Sequence, residues 1–256
     1  MSDEKVTLSY PGGTAEFPIL SATDGSQAVD ISKFHAATGL NTLDQGFVNT
    51  ASTKSAITFI NGDEGILRYR GYPIEQLAAK SSFLEVAYLL IYGNLPTESE
   101  LNAFDERIRR HTLIHEDLKN LFSAMPQTAH PMAVLAAGVT ALSTFYQDSL
   151  NPHDHEQVEL STIRLLAKLP VLAAYAHKNS LGQALLYPDN SLNYVENFLR
   201  LTFGNAAEQY VQNPVVTKAL DTLLVLHADH EQNCSTSTVR LVGSSQVNLF
   251  ASISSG

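Results

Sequence analysis

LHADHEQNCSTSTVR, from Leu226 to Arg240, is the densest concentration of chemically capable side chains in the chain. It sets His227, Asp229, His230, Glu231 and Asn233 directly behind an apolar run that starts at Pro214 and passes through Leu220, Leu223, Leu224 and Leu226. That run predicts a helix opened by its proline. Polar groups gathered at a helix end are costly unless something satisfies them. A histidine held there can hydrogen-bond a carboxylate or polarise a carbonyl near neutral pH. Ser235, Thr236, Ser237 and Thr238 offer hydroxyls for the N-cap of a new helix, whose free N–H groups suit an anion. Three other readings compete. One is a satisfied core histidine with capping side chains, which local chemistry alone favours. Another is a metal site, His227-x-x-His230 with Asp229 or Glu231, although the spacing is not that of HExxH and no cysteine cluster supports it. The third is a nucleophilic Cys234 beside His230, against which stands the commoner small buried cysteine.

Outward from this segment, punctuation divides the chain. Val6, Leu8 and Tyr10 alternate with polar residues, Pro11-Gly12-Gly13 turns, and Phe17 and Ile19 resume the alternation, which predicts a hairpin. A polar stretch follows to about Gly46. A second hairpin pairs 57–60 with 66–69 across Asn61-Gly62-Asp63-Glu64-Gly65. Helices follow. One covers 74–79. Capping boxes at Ser82/Glu85 and Thr97/Glu100 open two more, the first ended by Gly93 and Pro96. Pro131 starts a long apolar helix to about Tyr146, 156–168 forms another, and Pro170 is read as starting the next. Asn190 or Ser191 begins a helix holding Val195, Phe198 and Leu199. The expected boundaries are an N-terminal β-rich region, 1–46, and a large helical domain, 47–256, which is read as incomplete because the last residues, LVGSSQVNLFASISSG, are small and apolar.

Composition narrows the function. The chain has 256 residues, 44% of them hydrophobic and only 16% charged. A buried multi-helix core follows, and a disulfide miniprotein or wholesale disorder is excluded. A net charge of −10 disfavours nucleic acid and anionic membranes as partners. One cysteine, Cys234, cannot form an internal disulfide, which suits the reducing cytoplasm. The longest apolar stretch, 132–142, is too short to span a bilayer. The one basic cluster is RIRRHTLIHE, where helical spacing puts Arg107 with His111 and His111 with His115. A solvated helix face is its blander reading and a phosphate contact the sharper one, which Arg164 and Lys168 extend if the fold brings them near. NPHDHEQ, 151–157, looks metal-like but sits in a loop.

The segments ITFINGDEGILRYRGYPIEQLA, RRHTLIHE, HPMAVL, RLLAKLP, LLYPDNSLNYVENFLRLTFG and LHADHEQN occur in the order and spacing of bacterial type II citrate synthases, and the chain closely resembles that family, its actinobacterial branch most. The resemblance implies a mainly α fold: part of the multi-helix citrate synthase large domain, preceded by a small β-hairpin region. The family's smaller domain is expected downstream of the chain end. It implies condensation of acetyl-CoA with oxaloacetate and water to citrate and CoA, without metal or redox cofactor, in a cytoplasmic homo-oligomer, a dimer or a hexameric assembly of dimers. By resemblance His230 contacts oxaloacetate, Asn233 contributes its backbone to the same pocket, and Ser235 orients a catalytic histidine. The principal catalytic histidines and aspartate lie in motifs such as GPxHGGAN that do not occur in the 256 residues, so the chain alone is expected to be inactive. A propionyl-CoA-using 2-methylcitrate synthase and a non-catalytic oligomerisation module remain the alternatives. Arg110, His111, Thr112, Tyr146, Arg164 and Lys168 match a regulatory NADH site of the family. Asp189 and Ala207 stand where that site has Arg and Cys, so weak or absent NADH inhibition is expected.

Overall fold

A computed structural model describes residues 4–256 and divides into two compact units, one up to Ser55 and one from Ala56 to Gly256. In the first, strands β1 (Lys5–Tyr10), β2 (Gly13–Ser21) and β3 (Gln27–Val29) form an antiparallel sheet in that order. The predicted hairpin is present, with Val6 opposite Phe17 and Tyr10 opposite Gly13. The third strand and a short helix, α1 (Phe34–Thr38), were not foreseen in the polar stretch. The strand is held by its ladder to β2, Ile19 opposite Val29, and the helix by an apolar contact: Phe17 is buried and packs against the Phe34 ring at 5.3 Å.

The second unit opens with β4 (Thr58–Asn61), β5 (Ile66–Tyr69) and β6 (Tyr72–Pro73), antiparallel in that order, so β4 is an edge strand. Helices follow: α2 (Ile74–Lys80), α3 (Phe83–Tyr92), α4 (Glu98–Arg110), α5 (Leu118–Ala124), α6 (Pro131–Phe145), α7 (His155–Ser180), α8 (Tyr194–Phe203), α9 (Pro214–Leu226), α10 (Cys234–Gly243) and α11 (Leu249–Ser255). The mainly helical expectation holds. Both capping boxes are formed, with Ser82 and Thr97 accepting from the N–H of Glu85 and Glu100.

Three predicted boundaries are displaced, each for a local reason. Pro170 does not start a helix; it lies inside α7. A mid-helix proline leaves the carbonyl four residues earlier without its donor. Here that carbonyl, of Leu166, accepts instead from the Tyr194 hydroxyl at 3.0 Å, so the helix runs on. α8 begins at Tyr194 rather than near Asn190, because Asp189 accepts from the Ser191 N–H and hydroxyl in a turn and Asn193/Glu196 supply the capping box. α4 ends at Arg110, so His111 and His115 do not share a helix face; His115 stacks on Phe145 at 4.8 Å.

Phe122, Leu142, Leu172, Tyr175 and Phe250 centre the largest core, joining α5, α6, α7 and α11. A second cluster joins the hairpin to α2, α3 and α9 through Tyr69, Ile74, Leu77, Val86, Leu89 and Val225. It fixes the end of α9 against β5. Each fully buried Leu or Val contributes about 1.5–3 kcal/mol relative to exposure.

Candidate active site

Val225, wholly buried, anchors the last turn of α9, and the helix stops at His227. The loop 227–233 then carries the polar cluster to α10. His227 Nδ1 lies 2.8 Å from the Leu223 carbonyl, His230 Nε2 lies 3.4 Å from the Leu226 carbonyl, and the two rings are 5.7 Å apart. His230 is exposed, which corrects the core-histidine reading. With Nε2–H turned to a helix-end carbonyl, Nδ1 is the ring's acceptor. A protonated ring would present a donor there.

The flanking carboxylates face the β4–β5 hairpin. Asp229 accepts from the Thr58 hydroxyl and, at 3.2 Å, from the N–H of Glu231. Glu231 accepts from the Ile60 N–H at 2.7 Å. Tyr69, fully buried, donates its hydroxyl to the Asp229 carbonyl at 3.1 Å and accepts the Asp229 N–H at 3.3 Å. Burial raises the Tyr69 hydroxyl above the ordinary tyrosine range, so it is a neutral donor at physiological pH. Sequence reading missed Thr58, Ile60 and Tyr69. Their partners lie roughly 160–170 residues away, and only the alternation in β4 and β5 hinted that one face of the hairpin is committed to packing.

Asn233, not a serine or threonine, caps α10, accepting from the Thr236 N–H at 2.7 Å. Its side chain is committed to the cap, so a ligand contact from Asn233 would come from its main chain. Ser235 donates to the Gly256 carbonyl at 2.6 Å. Cys234 is exposed at the first turn of α10. No group of three His, Cys, Asp or Glu side chains suited to a metal occurs among the described residues, at His227/His230 or at 151–157. In the latter segment Asp154 caps α7.

The six residues of the suspected regulatory site are partly gathered. Arg164 and Lys168 both lie over the Tyr146 ring, at 4.4 and 4.9 Å. Lys168 donates to the carbonyls of His111 and Leu113. Thr112 donates to the Arg109 carbonyl at 2.9 Å. Two cations are already engaged: Arg164 grips Asp148 through both terminal nitrogens at 2.6 and 3.0 Å, and Arg110 pairs with Glu106.

A profile of the family "Citrate synthase, C-terminal domain" matches residues 46–256. The chain belongs to the citrate synthase family. It is 62% identical over 255 residues to citrate synthase 1 of Mycobacterium tuberculosis and 56% identical over 254 residues to citrate synthase of Corynebacterium glutamicum. These alignments cover 100% and 99% of this chain but only 59% and 58% of the relatives, so the chain spans about three-fifths of their length. The citrate synthase of Pyrobaculum aerophilum superposes with a TM-score of 0.72 at 29% identity, over 93% of this chain and 56% of that one. That of Thermotoga maritima gives 0.71 at 28%, over 84% and 54%. No helix among the described residues is long and apolar enough to cross a membrane.

Proposed function

We propose that the chain is the oxaloacetate-binding part of a citrate synthase that condenses acetyl-CoA with oxaloacetate and water to citrate and CoA. The observation that carries this is an exposed His230 on a loop fixed from both sides, in a chain 62% identical to citrate synthase 1 of M. tuberculosis. Oxaloacetate is a dianion with an electrophilic ketone. An imidazole suits both features, as a hydrogen-bond donor to a carboxylate or to the oxygen that gains charge during attack. Asn233 adds main-chain polarity, and Ser235 stands in the first turn of α10 for positioning. The motifs that carry the family's proton-abstracting aspartate and two catalytic histidines do not occur in these 256 residues, and this polypeptide alone is expected to be inactive.

Acetyl-CoA is a substrate, and neither metal nor redox cofactor is needed. The working form is a cytoplasmic homo-oligomer. Its support is the charge-poor helices and the exposed apolar side chains Met132, Leu241 and Ile253 on α6, α10 and α11.

The test is release of CoA thiol by the protein expressed from its complete gene. Release that requires both acetyl-CoA and oxaloacetate, and that His230→Ala lowers by at least ten-fold, is expected. Faster turnover of propionyl-CoA would move the assignment to 2-methylcitrate synthase. A folded, monodisperse oligomer without activity would favour an oligomerisation module.

A further inference from the structure

Within the triplet Asp229-His230-Glu231, the two carboxylates bond strand β4, whereas the His230 ring turns to the Leu226 carbonyl at the end of α9. Its neighbours on both sides are tied to one edge strand, two residues apart. Thr58 donates its hydroxyl to Asp229, and Ile60 donates its N–H to Glu231 at 2.7 Å. In an antiparallel ladder every second residue is hydrogen-bonded to its partner, and the bond from the Arg70 N–H to the Ile57 carbonyl makes 57, 59 and 61 those positions, so the main-chain groups of 58 and 60 point away from β5. Because β4 is an edge, the Ile60 N–H is not used in the ladder and is available to a carboxylate. Tyr69 lies directly opposite Thr58 across the ladder and holds the main chain of Asp229 as both donor and acceptor. Asp229 is thus gripped by a cross-strand pair, one hydroxyl on its carboxylate and one on its backbone.

The backbone between these ties is strained. Glu231 has φ +61°, a left-handed conformation that a non-glycine residue adopts at a cost of about 1 kcal/mol or more. Two contacts hold it there: its N–H on the Asp229 carboxylate at 3.2 Å and its own carboxylate on β4. Released from either, the loop would relax toward ordinary backbone and swing the imidazole of the preceding residue.

We infer that Thr58 and Tyr69, acting through Asp229, and the Ile60 N–H, acting through Glu231, are the device that positions His230 for oxaloacetate. This rests on the reading of His230 given above. The hairpin touches no substrate. It fixes the direction of the imidazole by fixing the residues on either side. Glu231 and Asp229 then serve as anchors rather than as acids or bases.

The test uses the enzyme expressed from its complete gene and steady-state kinetics with each substrate varied in turn. Thr58→Val keeps the shape and removes the donor. It is expected to raise KM for oxaloacetate roughly ten-fold, the scale of one hydrogen bond to a charged group, while leaving KM for acetyl-CoA within two-fold. Thr58→Ser is expected to restore it. Glu231→Ala, at an exposed position, reads the second tie independently and should act in the same direction with Tm unchanged. His230→Ala distinguishes the two levels. If it leaves KM for oxaloacetate and kcat unchanged, the reading of His230 falls. If it raises KM while Thr58→Val and Glu231→Ala do not, that reading stands and the positioning device is overturned. Equal loss in both KM values with a lowered Tm, without rescue by serine, would also overturn it, because the hairpin would then be structural only.

Discussion

The hydroxyl of Tyr194 donates to the carbonyl of Leu166 at 3.0 Å, the acceptor that Pro170 leaves without a main-chain donor. A side chain on α8 thus repairs a break in α7 and ties the two helices at the same point. Burial raises this hydroxyl above the ordinary tyrosine range and keeps it a donor. Tyr194→Phe retains the ring against Phe83 but strands the carbonyl, and is expected to cost about 1–3 kcal/mol. In a Pro170→Ala background the new N–H can take over, so the cost should fall below half. A double-mutant cycle by urea denaturation checks this, and equal costs in both backgrounds would refute it.

The two capping boxes read from the sequence differ in surroundings. At Ser82 the box is part-buried, and the neighbouring Phe83 N–H is taken by Asp221 at 2.9 Å, joining α3 to α9. At Thr97 the box is exposed. Ser82→Ala is therefore expected to cost more than Thr97→Ala, about 1–2 against about 0.5–1 kcal/mol. Chemical denaturation of the two variants provides the comparison, and the reverse order would show that burial does not govern the cost.

Local signals placed most helices because caps, glycines and prolines act over three or four residues. Ser82/Glu85, Thr97/Glu100 and Pro214 needed no tertiary partner to be read. Pro170 misled for the opposite reason: its compensation, Tyr194, lies 24 positions along the chain and on another helix. The same limit governed the site. His230, Asn233 and Ser235 stood out as a cluster in the sequence, with roles supplied by family resemblance. Thr58, Ile60 and Tyr69 are unremarkable strand residues until the fold brings them to Asp229 and Glu231. Regulation lay between these extremes, since Arg164 and Lys168 were legible as i and i+4 cations, whereas Asp148, which engages Arg164, was not.

That pairing sharpens the expectation for NADH. Arg164 is held by Asp148 through two hydrogen bonds, and Asp189 adds negative charge. The Ser191 hydroxyl and N–H hold the Asp189 carboxyl below the usual carboxylate range, so it is ionised at neutral pH and repels phosphate. In the enzyme proposed above, micromolar NADH is expected to leave the rate of CoA release unchanged. Asp189→Arg together with Asp148→Asn should increase NADH binding by ten-fold or more, read by the dinucleotide's fluorescence. Strong inhibition of the unaltered enzyme by micromolar NADH would sink the expectation.

Lys168 gives a pH signature. Its side chain is buried, and desolvation, aided by the charge of Arg164, pushes the ammonium down to about 8. Below that value both folded and unfolded chains bind the proton, and the full cost of the buried charge is present. Between about 8 and about 10.4 the folded chain releases the proton while the unfolded chain keeps it, so stability rises with pH at up to about 1.4 kcal/mol per unit. Tyr92 and Tyr175, both pushed up to about 12, oppose this only where free tyrosines ionise, near pH 10. The clean interval is therefore about pH 8 to 9.5. Lys168→Met removes the titration along with the hydrogen bonds to the His111 and Leu113 carbonyls. The stability difference between the unaltered chain and this variant, followed by urea denaturation, should shift toward the unaltered chain as pH rises through that interval. A pH-independent difference would mean that the two carbonyls hold the ammonium charged against its burial.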